Sequence, residues 1–136
     1  MNITEKQKSE IEYWRDSEHE SPESDSIYNI INKMGEAVVF VDCINRYLDR
    51  FRVAEKILEI GAGQGWASCI YKRMFPKAHI TTTDISPFAI KSLEKWEHIW
   101  NVKIDDAYAC KSHETQENTS SIDLPIPRAF HARFDF

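Results

Sequence analysis

Glycine is scarce in this sequence. There are four glycines in 136 residues, and three of them, Gly61, Gly63 and Gly65, alternate within "ILEIGAGQGW". The fourth is Gly35, and no internal repeat or low-complexity tract is visible. Cysteine is also sparse: Cys43, Cys69 and Cys110 are far apart and odd in number. They form neither a disulfide framework nor a zinc spacing, and read as small apolar residues in a reducing compartment. The five histidines, His19, His79, His98, His113 and His131, include no HxH or HExxH pair, so no metal is expected. No run approaches the length of a membrane span. The first residues, "MNITEKQKSEIEYW", are charged and lack the apolar core of a secretion signal, so a cytoplasmic location is expected. Positive charge is in deficit, with 17 Lys and Arg against 22 Asp and Glu. A net charge of -5 argues against a nucleic-acid partner held by its phosphates.

What is present fits one domain with one core, 42% hydrophobic and 29% charged. Two segments are expected. Residues 1–52 read as a helical segment packing on the remainder, and residues 53–136 as the ligand-binding part. In the first, residues 1–20 suit a helix. "SPESDS" reads as a break and a new start, with Ser21 as cap and Pro22 in the first turn. Ile27, Ile30, Ile31, Met34, Val38, Val41, Ile44, Leu48 and Phe51 then follow at helical steps, with Gly35 as a candidate break. In the second segment "KILEI" reads as a strand and "WASCIYKRMF" as a helix closed by Pro76. "AHITTTDIS" reads as a second strand, and "PFAIKSLEKWEHIW" as a helix capped by Ser86 with Pro87 in its first turn. "VKIDDAYACK" reads as a third strand. The order strand, helix, strand, helix, strand implies an α/β fold with a parallel sheet flanked by helices.

The first strand ends in an acid, Glu59, followed by the glycine loop. In a parallel α/β unit this is where a ligand sits. Glycine there permits left-handed backbone and removes the side chains that would hold a ligand away. Asp84 ends the next strand, placed to accept hydrogen bonds from the hydroxyls of a ribose. Loop and acid together point to an adenosine-containing ligand. A dinucleotide fingerprint, GxGxxG, needs a glycine where this chain has Trp66. Glu59 would also repel a pyrophosphate, while it suits a cationic partner such as a sulfonium. Two other readings stand beside this one. The glycines can be purely architectural with Asp84 a helix cap, or the loop can take an NAD-type nucleotide.

"LEIGAGQGW" and "ITTTDISPFAIKSLEKW" resemble the class I S-adenosylmethionine-dependent methyltransferases, over about residues 55 to 124. The resemblance implies a Rossmann-like fold, S-adenosyl-L-methionine as cofactor and methyl transfer to an acceptor, here a small molecule. It implies that Gly61, Ala62, Gly63 and Gly65 lie along the methionine part, with Glu59 supporting the loop and the amino end. It also implies that Asp84 holds the ribose and Ile85 packs on the adenine. The chain departs from the family's pattern further on. The usual acid near the adenine, after the third strand, has no clear counterpart. Asp105 and Asp106 sit at that strand's start, and Ser112 and His113 nearer its end. A fourth strand fits "SSIDL" with Asp123 by spacing, or "RFDF" with Asp135 by letters. Pro125 and Pro127 argue against a central strand there. The sheet is expected to be incomplete in its C-terminal half. An exposed sheet edge then either recruits a second copy, giving self-association, or is covered by a helix or the tail. Tyr13, Trp14, Tyr28 and Asn29 are candidates for lining an acceptor pocket, and no catalytic base is assigned. An S-adenosylmethionine-binding or regulatory module without turnover is the alternative.

Overall fold

The computed structural model describes residues 3–115 and the backbone of residues 124–127. The first helix, α1, spans Glu5–Asp16. Its start is set by a reciprocal cap: the Thr4 hydroxyl accepts from the Gln7 N–H, and the Gln7 side chain accepts from the Thr4 N–H at 2.9 Å. α1 buries one residue, Trp14.

The next helix, α2, runs Ile27–Arg46 with Ser26 at its N-cap. This corrects the expectation that Ser21 and Pro22 open it. Serines compete for local backbone groups and favour turns. Here the Ser21 N–H donates to Ser17 O at 3.2 Å, the Ser24 N–H to Ser21 O at 3.0 Å, and the Ser24 hydroxyl to Glu18 O at 2.8 Å. α2 also passes through Gly35 without a break. Its apolar positions are spread more widely than the core can cover, about half of the helix circumference at 100° per residue. Ala37, Phe40 and Ile44 are buried, and Ile30, Met34 and Val41 pack at the margin. Ile27, Ile31 and Val38 are exposed. A short helix, α3 (Leu48–Val53), follows and buries Phe51.

The α/β part begins with β1 (Lys56–Ile60), then α4 (Trp66–Met74), β2 (His79–Asp84), α5 (Pro87–Lys91), α6 (Leu93–Trp100), β3 (Asp106–Ala109) and β4 (Leu124–Pro127). The helix expected over 87–100 is two helices, broken at Ser92. The Ser92 N–H is shared between Phe88 O and Ala89 O, and its hydroxyl donates back to Phe88 O at 3.2 Å. Such back-bonding bends helices. The Ser86 cap is as expected, with its hydroxyl accepting from the Ala89 N–H.

The sheet order is β3-β2-β1-β4 and every pairing is parallel. The fourth strand therefore follows the "SSIDL" spacing. Asp123 and Asp135 lie outside the described residues. β4 is an edge among the described strands, which is where prolines are tolerated. The strand order reverses between β1 and β4, and that switch point opens a crevice at the C-terminal ends of the strands. The glycine loop lies there.

α4 and α5 pack against the sheet, α6 packs on α4, and α2 packs on α4. Aromatic rings make the last contact. Phe40 of α2 meets Trp66 and Tyr71 of α4 edge-on, with centroids 5.5 and 5.0 Å apart, and Phe51 lies 5.2 Å from Tyr71. Such contacts fix the helical segment to the α/β part beyond simple area burial. Among the described residues no helix is long and apolar enough to cross a membrane.

Gly35 is exposed, and a Cβ built there meets nothing within 4 Å. Gly35→Ala is expected to stabilise the fold by about 0.5–1 kcal/mol, read as a rise of a few degrees in the thermal unfolding midpoint. A fall would show that the glycine serves a bend.

Candidate functional site

The site begins where β1 stops. Gly61, Gly63 and Gly65 have φ of 70°, 57° and 76°, the left-handed region that side chains avoid. Two of these glycines also have close neighbours where a side chain would begin. A Cβ on Gly65 would lie 2.5 Å from Leu93 Cδ1, and one on Gly63 would lie 3.1 Å from Trp14 Cζ2. The loop is thus pressed between α6 on one side and α1 on the other. Gly65 also serves as the N-cap of α4, so no side chain caps the first turn of that helix. Ala62 is buried, and its N–H donates to Thr83 O at 2.9 Å.

Asp84 organises this loop. It is 2% exposed, and both carboxylate oxygens accept backbone donors. Oδ2 takes the Gly63 N–H at 2.8 Å and Oδ1 takes the Ser86 N–H at 2.9 Å. One side chain therefore ties the end of β2 to the loop after β1 and to the start of α5. Ile85, between Asp84 and the Ser86 cap, is half-buried.

Glu59 is fully buried on β1 and faces α4 rather than the crevice. Its carboxylate accepts from the Ser68 hydroxyl, and Ser68 in turn accepts from the Thr82 hydroxyl at 2.6 Å. The Thr83 hydroxyl donates to Glu59 O at 3.0 Å. Glu59 therefore ties the strand before the loop to the helix after it. The run of three threonines, Thr81 to Thr83, is the sequence signal for this network: a buried strand spends polar side chains only where partners exist.

Gln64 is the residue that the sequence reading passed over. It is buried within the loop, and its Oε1 accepts from Asn29 Nδ2 at 3.0 Å and from Trp96 Nε1 at 3.2 Å. Its Nε2 donates to Glu20 O at 2.8 Å. The N-terminal segment is thus bonded to the loop at Glu20 and Asn29 and packed on it at Trp14. A long polar residue inside a glycine-rich turn was the available signal.

The four residues weighed for the adenine side fall elsewhere. Asp105 lies at the opposite end of the sheet, accepting from Lys72 Nζ at 2.7 Å and from the Ile80 N–H at 2.8 Å. Burial opposes its ionisation, but these donors and the Lys72 charge outweigh it and hold the carboxyl below its usual range. Asp106 pairs with His79 at 2.7 Å at the same end. Ser112 and His113 form an exposed turn after β3. Cys110 follows β3 directly, and its N–H donates to Asp84 O at 2.8 Å. Burial pushes the Cys110 and Cys69 thiols up, away from reactive thiolate. Among the described residues no group of His, Cys, Asp and Glu is placed to hold a metal.

No protein-family model and no curated protein matches the chain. Solved structures do. The geranyl diphosphate C-methyltransferase from Streptomyces coelicolor A3(2), a complex with S-adenosyl-L-homocysteine, matches 93% of this chain with a TM-score of 0.61 at 11% identity. The plantazolicin methyltransferase BpumL covers 90% at 18% identity with a TM-score of 0.47. PKMT2 from Rickettsia typhi covers 57% at 21% identity with a TM-score of 0.48. The chain spans 55% of the first of these proteins, 50% of the second and 15% of the third. At these identities the first likeness carries the fold. The chain has the Rossmann-like α/β architecture found in that methyltransferase.

Gly65→Ala combines left-handed strain of about 1–2 kcal/mol with the contact on Leu93. It is expected to lower the unfolding midpoint by several degrees. An unchanged midpoint would mean that the loop is not held in this form.

Proposed function

We propose that this chain binds S-adenosyl-L-methionine and transfers its methyl group to a small-molecule acceptor. The observation that carries this is the loop of three left-handed glycines at a switch point, held by a buried strand-end carboxylate. The same architecture in a methyltransferase crystallised with S-adenosyl-L-homocysteine supports the reading. The cradle fits the cofactor: a left-handed glycine turn at the strand ends stands beside an acid suited to ribose hydroxyls. Gly61, Ala62, Gly63 and Gly65 hold the methionine part, Asp84 the ribose, and Ile85 packs against the adenine. Glu59 holds the loop in shape through Ser68.

When bound, S-adenosylmethionine supplies a methyl group on a positively charged sulfur. The chain's contribution is to orient it and to exclude water, which can account for a large part of such a rate. The residues of 1–52, docked on 53–136, form the cover over the loop. The acceptor belongs to the same crevice, with Tyr13 and Tyr28 at its N-terminal margin. Three unpaired thiols suit a reducing cytoplasm. A second reading, binding without turnover, follows from a specific feature: both acids at the site are committed to holding it together. Neither is placed as a general base.

Calorimetric titration with S-adenosylmethionine, S-adenosylhomocysteine and NAD tests the proposal. The first two are expected to bind saturably and NAD not. Asp84→Asn is expected to weaken binding by about tenfold or more, with circular dichroism confirming that the variant is folded. A folded wild type that binds neither adenosyl ligand would end the proposal, and binding without product in an acceptor screen would favour the second reading. Self-association through a sheet edge is a separate proposal. At β4, Pro125 and Pro127 reduce the donors available to a second copy, which limits such pairing. Light scattering at micromolar concentration decides it: a stable dimer supports the idea and a clean monomer ends it.

A further inference from the structure

The N-terminal helices bring two polar atoms to the glycine loop and leave them without partners. Trp14 is 6% exposed and Asn29 is 2% exposed, yet Trp14 Nε1 and Asn29 Oδ1 make no hydrogen bond among the described residues. A buried polar atom left unpaired costs about 1–3 kcal/mol, so each such atom needs an explanation. Two others share this state, Tyr71 Oη in α4 and Trp100 Nε1 at the end of α6. Tyr71 packs among Phe40 and Phe51, away from the loop.

Trp14 and Asn29 meet the loop at adjacent residues. The Trp14 ring edge, Cζ2 and Cη2, lies 3.1 and 3.2 Å from where a Gly63 Cβ would be. Nε1 is borne on the ring carbon next to Cζ2, so the N–H lies along the loop side of the ring. Asn29 is bonded to Gln64, and the amide orientations there follow from chemistry. Trp96 Nε1 can only donate, which makes the Gln64 atom that it meets an acceptor oxygen. Asn29 must then present its NH2 to that oxygen, leaving its own Oδ1 as the unpaired acceptor.

The loop is therefore flanked by one unsatisfied donor and one unsatisfied acceptor. An α-amino-acid end, with a carboxylate and an ammonium, supplies the complement of each. We infer that Trp14 and Asn29 bind the amino-acid end of the ligand: the carboxylate accepts from Trp14 Nε1 and the ammonium donates to Asn29 Oδ1. This rests on the cofactor reading given above and adds two binding residues from outside the glycine loop. It also gives the N-terminal segment a part in the site rather than a packing role alone.

The test compares two ligands on the full chain. S-adenosylhomocysteine carries the amino-acid end, and methylthioadenosine lacks it while keeping the adenosine and the sulfur. Trp14→Phe keeps a ring over Gly63 and removes the N–H. Asn29→Leu removes Oδ1 while Gln64 Oε1 retains Trp96. Each variant is expected to bind S-adenosylhomocysteine about tenfold more weakly and methylthioadenosine with unchanged affinity. Equal losses on both ligands would show a general structural role and overturn the inference. No loss on either ligand would also overturn it, and in both cases the cofactor reading would survive. A folded wild type that binds neither ligand would overturn both. If one variant fails to fold, the ligand split in the other decides.

Discussion

The Asp84 carboxylate is the contact on which the site depends. A buried charge is costly unless hydrogen bonds replace its lost water. Here the replacement donors are the N–H groups of Gly63 and Ser86, so the cost of burial is offset by fixing two loops at once. The arrangement explains why the loop glycines must be glycines. To aim the Gly63 N–H at Asp84, the chain turns through left-handed backbone at positions 61, 63 and 65. Parallel pairing of β1 with β2 then sets the distance between the two strand ends. A change at Asp84 is felt in loop geometry, so any binding loss in its variants must be read beside a measure of fold.

The N-terminal segment depends on that loop in turn. A helix of 12 residues such as α1 is marginal alone in water. Its place is set by Trp14 on Gly63, by the Glu20 carbonyl on Gln64, and by Lys95 Nζ reaching Ser24 O at 3.4 Å. Lys91 also pairs with Glu23, but both side chains are exposed, and such a pair contributes little. What holds α1 is therefore its packing on α5 together with Trp14 on the loop. The loop and the segment are thus coupled through Trp14, Glu20 and Asn29.

The strands and the loop were legible in the sequence because few residues specify them. Alternating glycines after an apolar run, an acid at the end of the next strand, and a Ser-Pro helix start each have one dominant physical reading. The helix over 27–46 was legible as a helix, but its buried face was not. Periodicity marks apolar positions, whereas the neighbouring layer decides which of them are covered, and Ile27, Ile31 and Val38 fall outside that cover. Ser21 and Pro22 misled because serine serves a turn as well as a cap. β4 was obscured by Pro125 and Pro127, which exclude a central strand but not an edge. Gln64 and the pairing of Asn29 with it could not be read at all, since 35 residues separate them and only the fold brings them together.

Charge separates the candidate ligands more sharply than shape does. A pyrophosphate needs the positive end of the helix that follows the loop. Glu59 lies against Ser68, in the first turn of α4, and so already compensates that end with a negative charge. Its field is felt deeper in the helix, where burial first and Glu59 next push the Tyr71 hydroxyl up, and where Glu97 and Glu59 reinforce burial at the Cys69 thiol. Asp84 adds a second carboxylate on the other side of the loop. Two acids flanking one turn make it a poor place for a dianion, whatever room its glycines leave. A ligand with a cationic sulfur and a zwitterionic end, as proposed above, meets the same field favourably, because its net charge is positive. The acid before the glycines, a single letter in the sequence, thus sets the charge at the first turn of the helix that follows the loop.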